Sequence, residues 1–170
     1  MNLRRMLRHL FCDRWSVRRA FPRQTMRAIE RVTSEQETRH MGELRFAVEA
    51  SLPFESLIGG VSARQRAIEL FGRLRVWDTE HNSGVLVYVL LADRDVEIVA
   101  DRGIHARVGP AGWEAICSQM ERAFARREFE QGTVLGLQAI SDLLAKHFPA
   151  SGANPDELSN KPVIVQDSGF

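Results

Sequence analysis

Asp78, Glu80 and Asn82 alternate along one short polar stretch, and Asp101, Arg102 and His105 cluster a little further on. Asp78, Glu80, Asn82 and Asp101 are hard oxygen donors, a set that suits Ca²⁺ or Mg²⁺ better than zinc. Asp101, Arg102 and His105 are the types that phosphomonoester hydrolysis needs: Asp101 as nucleophile or metal ligand, Arg102 as the cation on phosphoryl oxygens, and His105 as acid for the leaving group. The alternation beginning at Asp78 is not an EF-hand loop, because the sixth position is Ser83 instead of glycine and the twelfth is Val89 instead of glutamate. A solvated, Asx-rich loop leading into a strand remains the alternative reading of that stretch. His81 and His105 lack the third histidine or cysteine that zinc would require, and read as exposed loop residues. No Cys-x5-Arg loop, Gly-x-Gly-x-x-Gly turn or Walker motif occurs, and Asp93-x-Asp95 is explained by turn chemistry.

A β-hairpin would bring the two polar groups together. Residues 84–91 read as a buried strand, 92–95 as a turn and 96–103 as an alternating second strand. Pairing across that turn sets Leu91 opposite Val96, Leu86 opposite Asp101 and Gly84 opposite Gly103, and its extension sets Asn82 opposite His105. One pocket at the open end of the hairpin is therefore expected.

Further elements follow from hydrophobic periodicity. Residues 2–15 form an amphipathic basic helix with Leu3, Leu7, Leu10 and Phe11 on one face, suited to packing on its own domain or lying on a membrane. A helix entered at Pro22 runs to about Thr38, and residues 43–49 alternate as a half-exposed strand suitable for a sheet edge. A loop over 51–61 leads to a helix capped by Ser62. Strand, helix and buried strand make a right-handed βαβ unit with parallel strands. A helix after Gly109-Pro110 breaks near residues 128–131, and a last helix ends before Pro149. Gly132-x-x-x-Gly136 in that helix implies close packing on a neighbouring helix. Residues 1–20 are thus expected as a basic arm, 21–149 as one α/β domain and 150–170 as a flexible tail.

Composition sets the outer bounds. At 170 residues with 44% apolar and 26% charged side chains, the chain has the size and make-up of one globular domain. A net charge of +1 gives no general attraction to nucleic acid, but ten arginines from Arg4 to Arg39 face only Asp13, Glu30, Glu35 and Glu37. Phe11, Trp15 and Phe21 are spaced for helix packing instead of base stacking, so no nucleic-acid partner is expected. Cys12 and Cys117 read as free thiols of a reducing compartment. No signal peptide or membrane span is read, and the expected location is cytoplasmic, with residues 1–20 available for peripheral contact at the inner membrane.

Together these segments resemble the TPM domain family, whose members include thylakoid-lumen proteins implicated in photosystem repair and many bacterial proteins. The likeness rests on residues 43–48, the loop ending Asn82-x-Gly84, the strand 85–91, the run Val96-Glu97-Ile98-Val99-Ala100-Asp101-Arg102-Gly103, and Trp113 onward through Phe124, Phe129 and Gly132, over roughly 21–149. It implies a compact Rossmann-like α/β/α sandwich with a small mixed sheet, divalent-metal binding in some members and the acid phosphatase activity attributed to plant members. The expected function is a TPM-type binding or accessory domain acting through a protein partner, with a weak divalent-metal site and no organic cofactor. A metal-dependent acid phosphatase acting on phosphomonoesters is the alternative.

Overall fold

A computed structural model describes residues 3–151 and 157–166. In chain order the elements are α1 (Leu3–Phe11), α2 (Arg14–Ala20), α3 (Arg23–Glu37), β1 (Glu43–Glu49), α4 (Phe54–Ile58), α5 (Ala63–Arg73), β2 (Gly84–Leu90), β3 (Asp95–Ala100), α6 (Arg102–Val108), α7 (Pro110–Ala125), α8 (Phe129–His147) and β4 (Val163–Val165). The sheet has the order β3-β2-β1-β4, with β1 parallel to both β2 and β4, and β3 antiparallel to β2.

Strand alternation divides the core into two layers. Leu44, Phe46 and Val48 of β1 and Val85, Val87 and Val89 of β2 face α3, α7 and α8, packing with Ile29, Met120, Phe124, Leu137 and Ile140. On the opposite face Ala47, Leu86, Tyr88 and Leu90 pack on Ala67 and Leu70 of α5. The expected α/β/α sandwich is present, and β2 is buried on both sides. Ser62 caps α5 in a reciprocal capping box with Gln65. Added Cβ atoms on Gly132 and Gly136 would meet Ala123 and Met120, so these glycines set the α7–α8 approach as the sequence spacing implied.

Four local expectations are corrected. The hairpin turn spans residues 91–94 instead of 92–95, with Arg94 in the left-handed region at φ 55°. The register is accordingly Leu86 opposite Val99 and Val89 opposite Val96, two residues from the anticipated pairing. That offset preserves which face each side chain occupies. Its cause lies at the exit of β2, where the Leu91 and Ala92 amides donate to the Glu49 and Ala50 carbonyls and hold this segment against β1.

After Ala100 the chain turns at Asp101 into α6, so Arg102 and His105 are helical and Asn82 does not oppose His105. The basic helix is interrupted at Cys12, and Asp13 starts α2 by accepting from the Ser16 amide. Val17 of α2 is fully buried in the main core, which joins this part of the expected arm to the domain. β1 is not an edge strand: Val163, Ile164 and Val165, placed by sequence in a loose tail, pair with Ala47, Val48 and Glu49. The segment before β4 is tied down as well. Glu157 and Leu158 amides donate to Glu43 Oε2 at 3.3 and 3.2 Å, and Arg45 donates to the Ser159 carbonyl.

Candidate functional site

At the amino ends of β1 and β2, the anticipated pocket is dispersed. Asp101 forms a two-way link with Gly84: its Oδ2 accepts from the Gly84 amide at 2.9 Å, and its own amide donates to the Gly84 carbonyl at 3.0 Å. Burial raises the Asp101 carboxyl above its ordinary value, and the Gly84 hydrogen bond opposes that shift. Asp78 is ion-paired with Arg75 at 2.6 Å. Glu80 donates its amide to Glu157, and Asn82, at φ 49°, is exposed. Arg102 and His105 are exposed on α6. Asp101 meets the end of the 78–83 loop through Gly84, and the His105 amide donates to the Asp101 carbonyl in the first turn of α6. Among the described residues no group of three His, Cys, Asp or Glu side chains is arranged to hold a metal ion.

The opposite end of the sheet carries a different arrangement. Open α/β sheets bind ligands in the crevice beyond the carboxyl ends of their strands, where β1 ends at Glu49, β2 at Leu90 and β4 at Val165. The α1–α2 corner roofs this position, leaving a cavity of about 260 Å³ bordered by Cys12, Asp13, Ser51, Glu49 and Val165. Glu49 is not a free carboxylate: Arg66 grips both of its oxygens and the Tyr88 hydroxyl donates to Oε2. The cluster is buried.

A latch on Asp93 at the hairpin tip holds α1 in place. Arg5 Nε and Arg8 Nη2 reach its two oxygens at 2.9 and 3.0 Å, and His9 Nε2 lies 3.3 Å from Oδ2. His9 Nδ1 accepts from the Leu52 amide, which puts the ring proton on Nε2, toward Asp93. Burial lowers the His9 pKa, while Asp93 opposes the shift. Arg5 also donates to the Val61 carbonyl.

This latch inverts the usual amphipathic helix, whose apolar stripe faces the core. Arg5, Arg8 and His9 bind Asp93, whereas Leu3, Leu7, Leu10 and Phe11 lie on the other side of the helix and stay exposed, the leucines above α4. Leu10 is 75% exposed, Phe11 78% and Trp15 63%. Leu3, Leu7 and Leu10 line a groove of about 510 Å³ with Phe54 and Leu57 of α4. Sequence reading found the apolar stripe and missed its orientation. The available signal was Arg5, Arg8 and His9 at helical spacing, matched to the acidic turn residue Asp93.

Beside the latch, the outer edge of β3 is closed by side chains. The Glu121 carboxylate accepts from the Val96 amide, and Arg64 donates to the Ile98 carbonyl. Burial, reinforced by Glu97, Glu121 and Asp93, raises the Asp95 pKa to about 6. The folded state therefore binds a proton more tightly than the unfolded chain, and stability falls as pH rises from about 4 to 6. Asp95→Asn is expected to stabilise the fold at pH 7 by about 1 kcal/mol after allowance for solvent screening, read as a higher urea midpoint, and to have little effect at pH 4. Equal effects at both pH values would refute this assignment.

The model of the TPM domain matches residues 18–143. This chain belongs to the TPM domain family. Among solved structures, the NMR structure of BA42 protein from the psychrophilic bacterium Bizionia argentinensis superposes with a TM-score of 0.74 at 27% identity, covering 84% of this chain and 93% of that one. No curated protein matched. The family match begins at Arg18, so α1 and the start of α2, including Arg5, Arg8 and His9 and the apolar face, precede the matched TPM region, while their partner Asp93 lies inside it. No helix among the described residues is long and apolar enough to cross a membrane.

Proposed function

We propose that this TPM protein is a binding or accessory module that rests on an anionic membrane surface through α1 and presents the rest of the domain to a protein partner. The inverted docking of α1 carries this reading: three cationic or protonatable groups hold the helix against Asp93, while its leucines and Phe11 face outward. An interfacial helix buries just such an apolar face among acyl chains, with basic residues attracted to acidic headgroups. Water-exposed leucines in this number otherwise carry a solvation cost of roughly 25 cal/mol per Å² of apolar area. The phosphatase alternative receives no comparable support, since Asp101 is committed to Gly84 and Arg102 and His105 stand exposed on α6.

Sedimentation with vesicles of phosphatidylcholine and phosphatidylglycerol tests the reading. The wild-type chain is expected to pellet, and a Leu7→Glu/Leu10→Glu/Phe11→Glu variant, with an unchanged circular dichroism spectrum, is expected to bind at least about tenfold more weakly. Equal pelleting of the two proteins would end the proposal.

A further inference from the structure

Many arginines of the fold are held by carboxylates, and Arg31 further along α3 is among them, 3.9 Å from Glu35. Arg5, Arg8, Arg39, Arg64, Arg66, Arg73, Arg75 and Arg126 each meet a carboxylate. No carboxylate of a described residue pairs with Arg18, Arg23 or Arg27, and these three line one open groove of about 530 Å³ between α2 and α3. Its apolar floor is formed by Phe21, Pro22, Met26 and Ile164. Arg23 and Arg27 lie one helical turn apart on α3 and so share a face. Asp13 and Glu130, which hydrogen-bond to α2 and α3, are engaged by Ser16 and Thr25.

This groove is continuous with the apolar face of α1. Ile164 borders both the arginine groove and the cavity under the α1–α2 corner, while Cys12, Asp13 and Ser51 border both that cavity and the α1–α4 groove. Trp15 of α2 stands between them in the sequence, one turn before Arg18. Its ring is well exposed, and the Arg18 guanidinium lies over it at 5.4 Å. The order is therefore leucines and Phe11, then an interfacial tryptophan, then unpaired guanidinium groups. Tryptophan favours the boundary between acyl chains and headgroups, and guanidinium forms bidentate bonds with phosphate oxygens.

We infer that Arg18, Arg23 and Arg27 form a headgroup site for the phosphodiester of an anionic glycerophospholipid, filled when α1 lies in the bilayer interface. The inference rests on the membrane reading above and adds the ligand and its position. Nucleic acid or an acidic peptide could satisfy the arginines but would leave Leu3, Leu7, Leu10 and Phe11 in water. A lipid satisfies both parts of the surface.

The full chain is tested on phosphatidylcholine vesicles with and without phosphatidylglycerol. The groove variant Arg23→Gln/Arg27→Gln is compared with Arg73→Gln/Arg75→Gln, which removes the same charge from exposed positions on and just after α5. Each basic side chain at an anionic surface contributes about fivefold, so the groove variant should bind roughly thirtyfold more weakly, while the remote variant stays within about threefold of wild type. Failure of wild type to bind anionic vesicles overturns both the membrane reading and this inference. Retained binding by the groove variant, with binding lost in the α1 glutamate variant, overturns the headgroup site alone. Displacement from vesicles by millimolar glycerol 3-phosphate assigns the groove to soluble phosphate and overturns the lipid assignment, as does tighter binding to a DNA duplex than to the vesicles.

Discussion

Arg66→Met is expected to destabilise the domain by about 3–5 kcal/mol, because it leaves the Glu49 carboxylate buried with only the Tyr88 hydroxyl as a partner. In the intact cluster Arg66 donates from Nε to Glu49 Oε2 at 3.0 Å and from Nη2 to Oε1 at 2.6 Å, and its Nη1 reaches Glu69. This fork suits guanidinium and no other side chain. Breaking one half of a buried pair costs far more than replacing both halves, so Glu49→Gln/Arg66→Met should recover most of the loss. Urea denaturation of the two variants decides the matter. A single variant as stable as wild type would mean that the buried pair contributes nothing.

The second large effect is expected at Gly84. An alanine Cβ there would overlap the Val76 carbonyl oxygen, a backbone atom that cannot rotate away. Gly84 also exchanges two hydrogen bonds with Asp101, so displacing it disturbs the entry to both β2 and α6. Gly84→Ala should cost about 3 kcal/mol and lower the thermal midpoint by roughly 6–12 °C. Gly72, within α5, has no atom within 4 Å of an added Cβ. Gly72→Ala is therefore expected to stabilise by roughly 0.5–1 kcal/mol through better helix propensity. Similar midpoints for the two alanine variants would show that Val76 yields.

The parts of the fold that were legible in sequence are those that repeat a pattern. Residues 84–91 are a continuous apolar run and predict a buried strand; Ser62 predicts a helix start; Pro22 and Pro110 mark the entry to α3 and α7. Elements fixed by single long-range contacts were harder to read. The short α6 continues directly from an alternating run that favours a strand, and the Asp101 link to Gly84 sits where β3 gives way to it. β4 has three residues in a polar segment, and its pairing with β1 depends on Glu43 and Arg45 holding the chain before it.

At the anticipated site, local spacing did not fix the relative positions of the residues. The two-residue register change and the α6 turn separate Arg102 and His105 from Asn82, although Asp101 still reaches the start of β2. Asp93 was assigned to turn chemistry, and it does sit in the turn. Its second role, binding Arg5, Arg8 and His9, is a contact across about half the chain that local spacing cannot disclose.

The placement of β4 beside β1 bears on how the protein is made. During vectorial synthesis β1 emerges from the ribosome long before residues 163–165 do, and at 5–20 residues per second the wait is on the order of ten seconds. Throughout that interval the nascent sheet presents open backbone donors and acceptors along one side, a template to which a neighbouring chain on the same polysome could anneal. Closure of this side of the sheet therefore trails synthesis of β1, and holdase chaperones have a defined window in which to act on it.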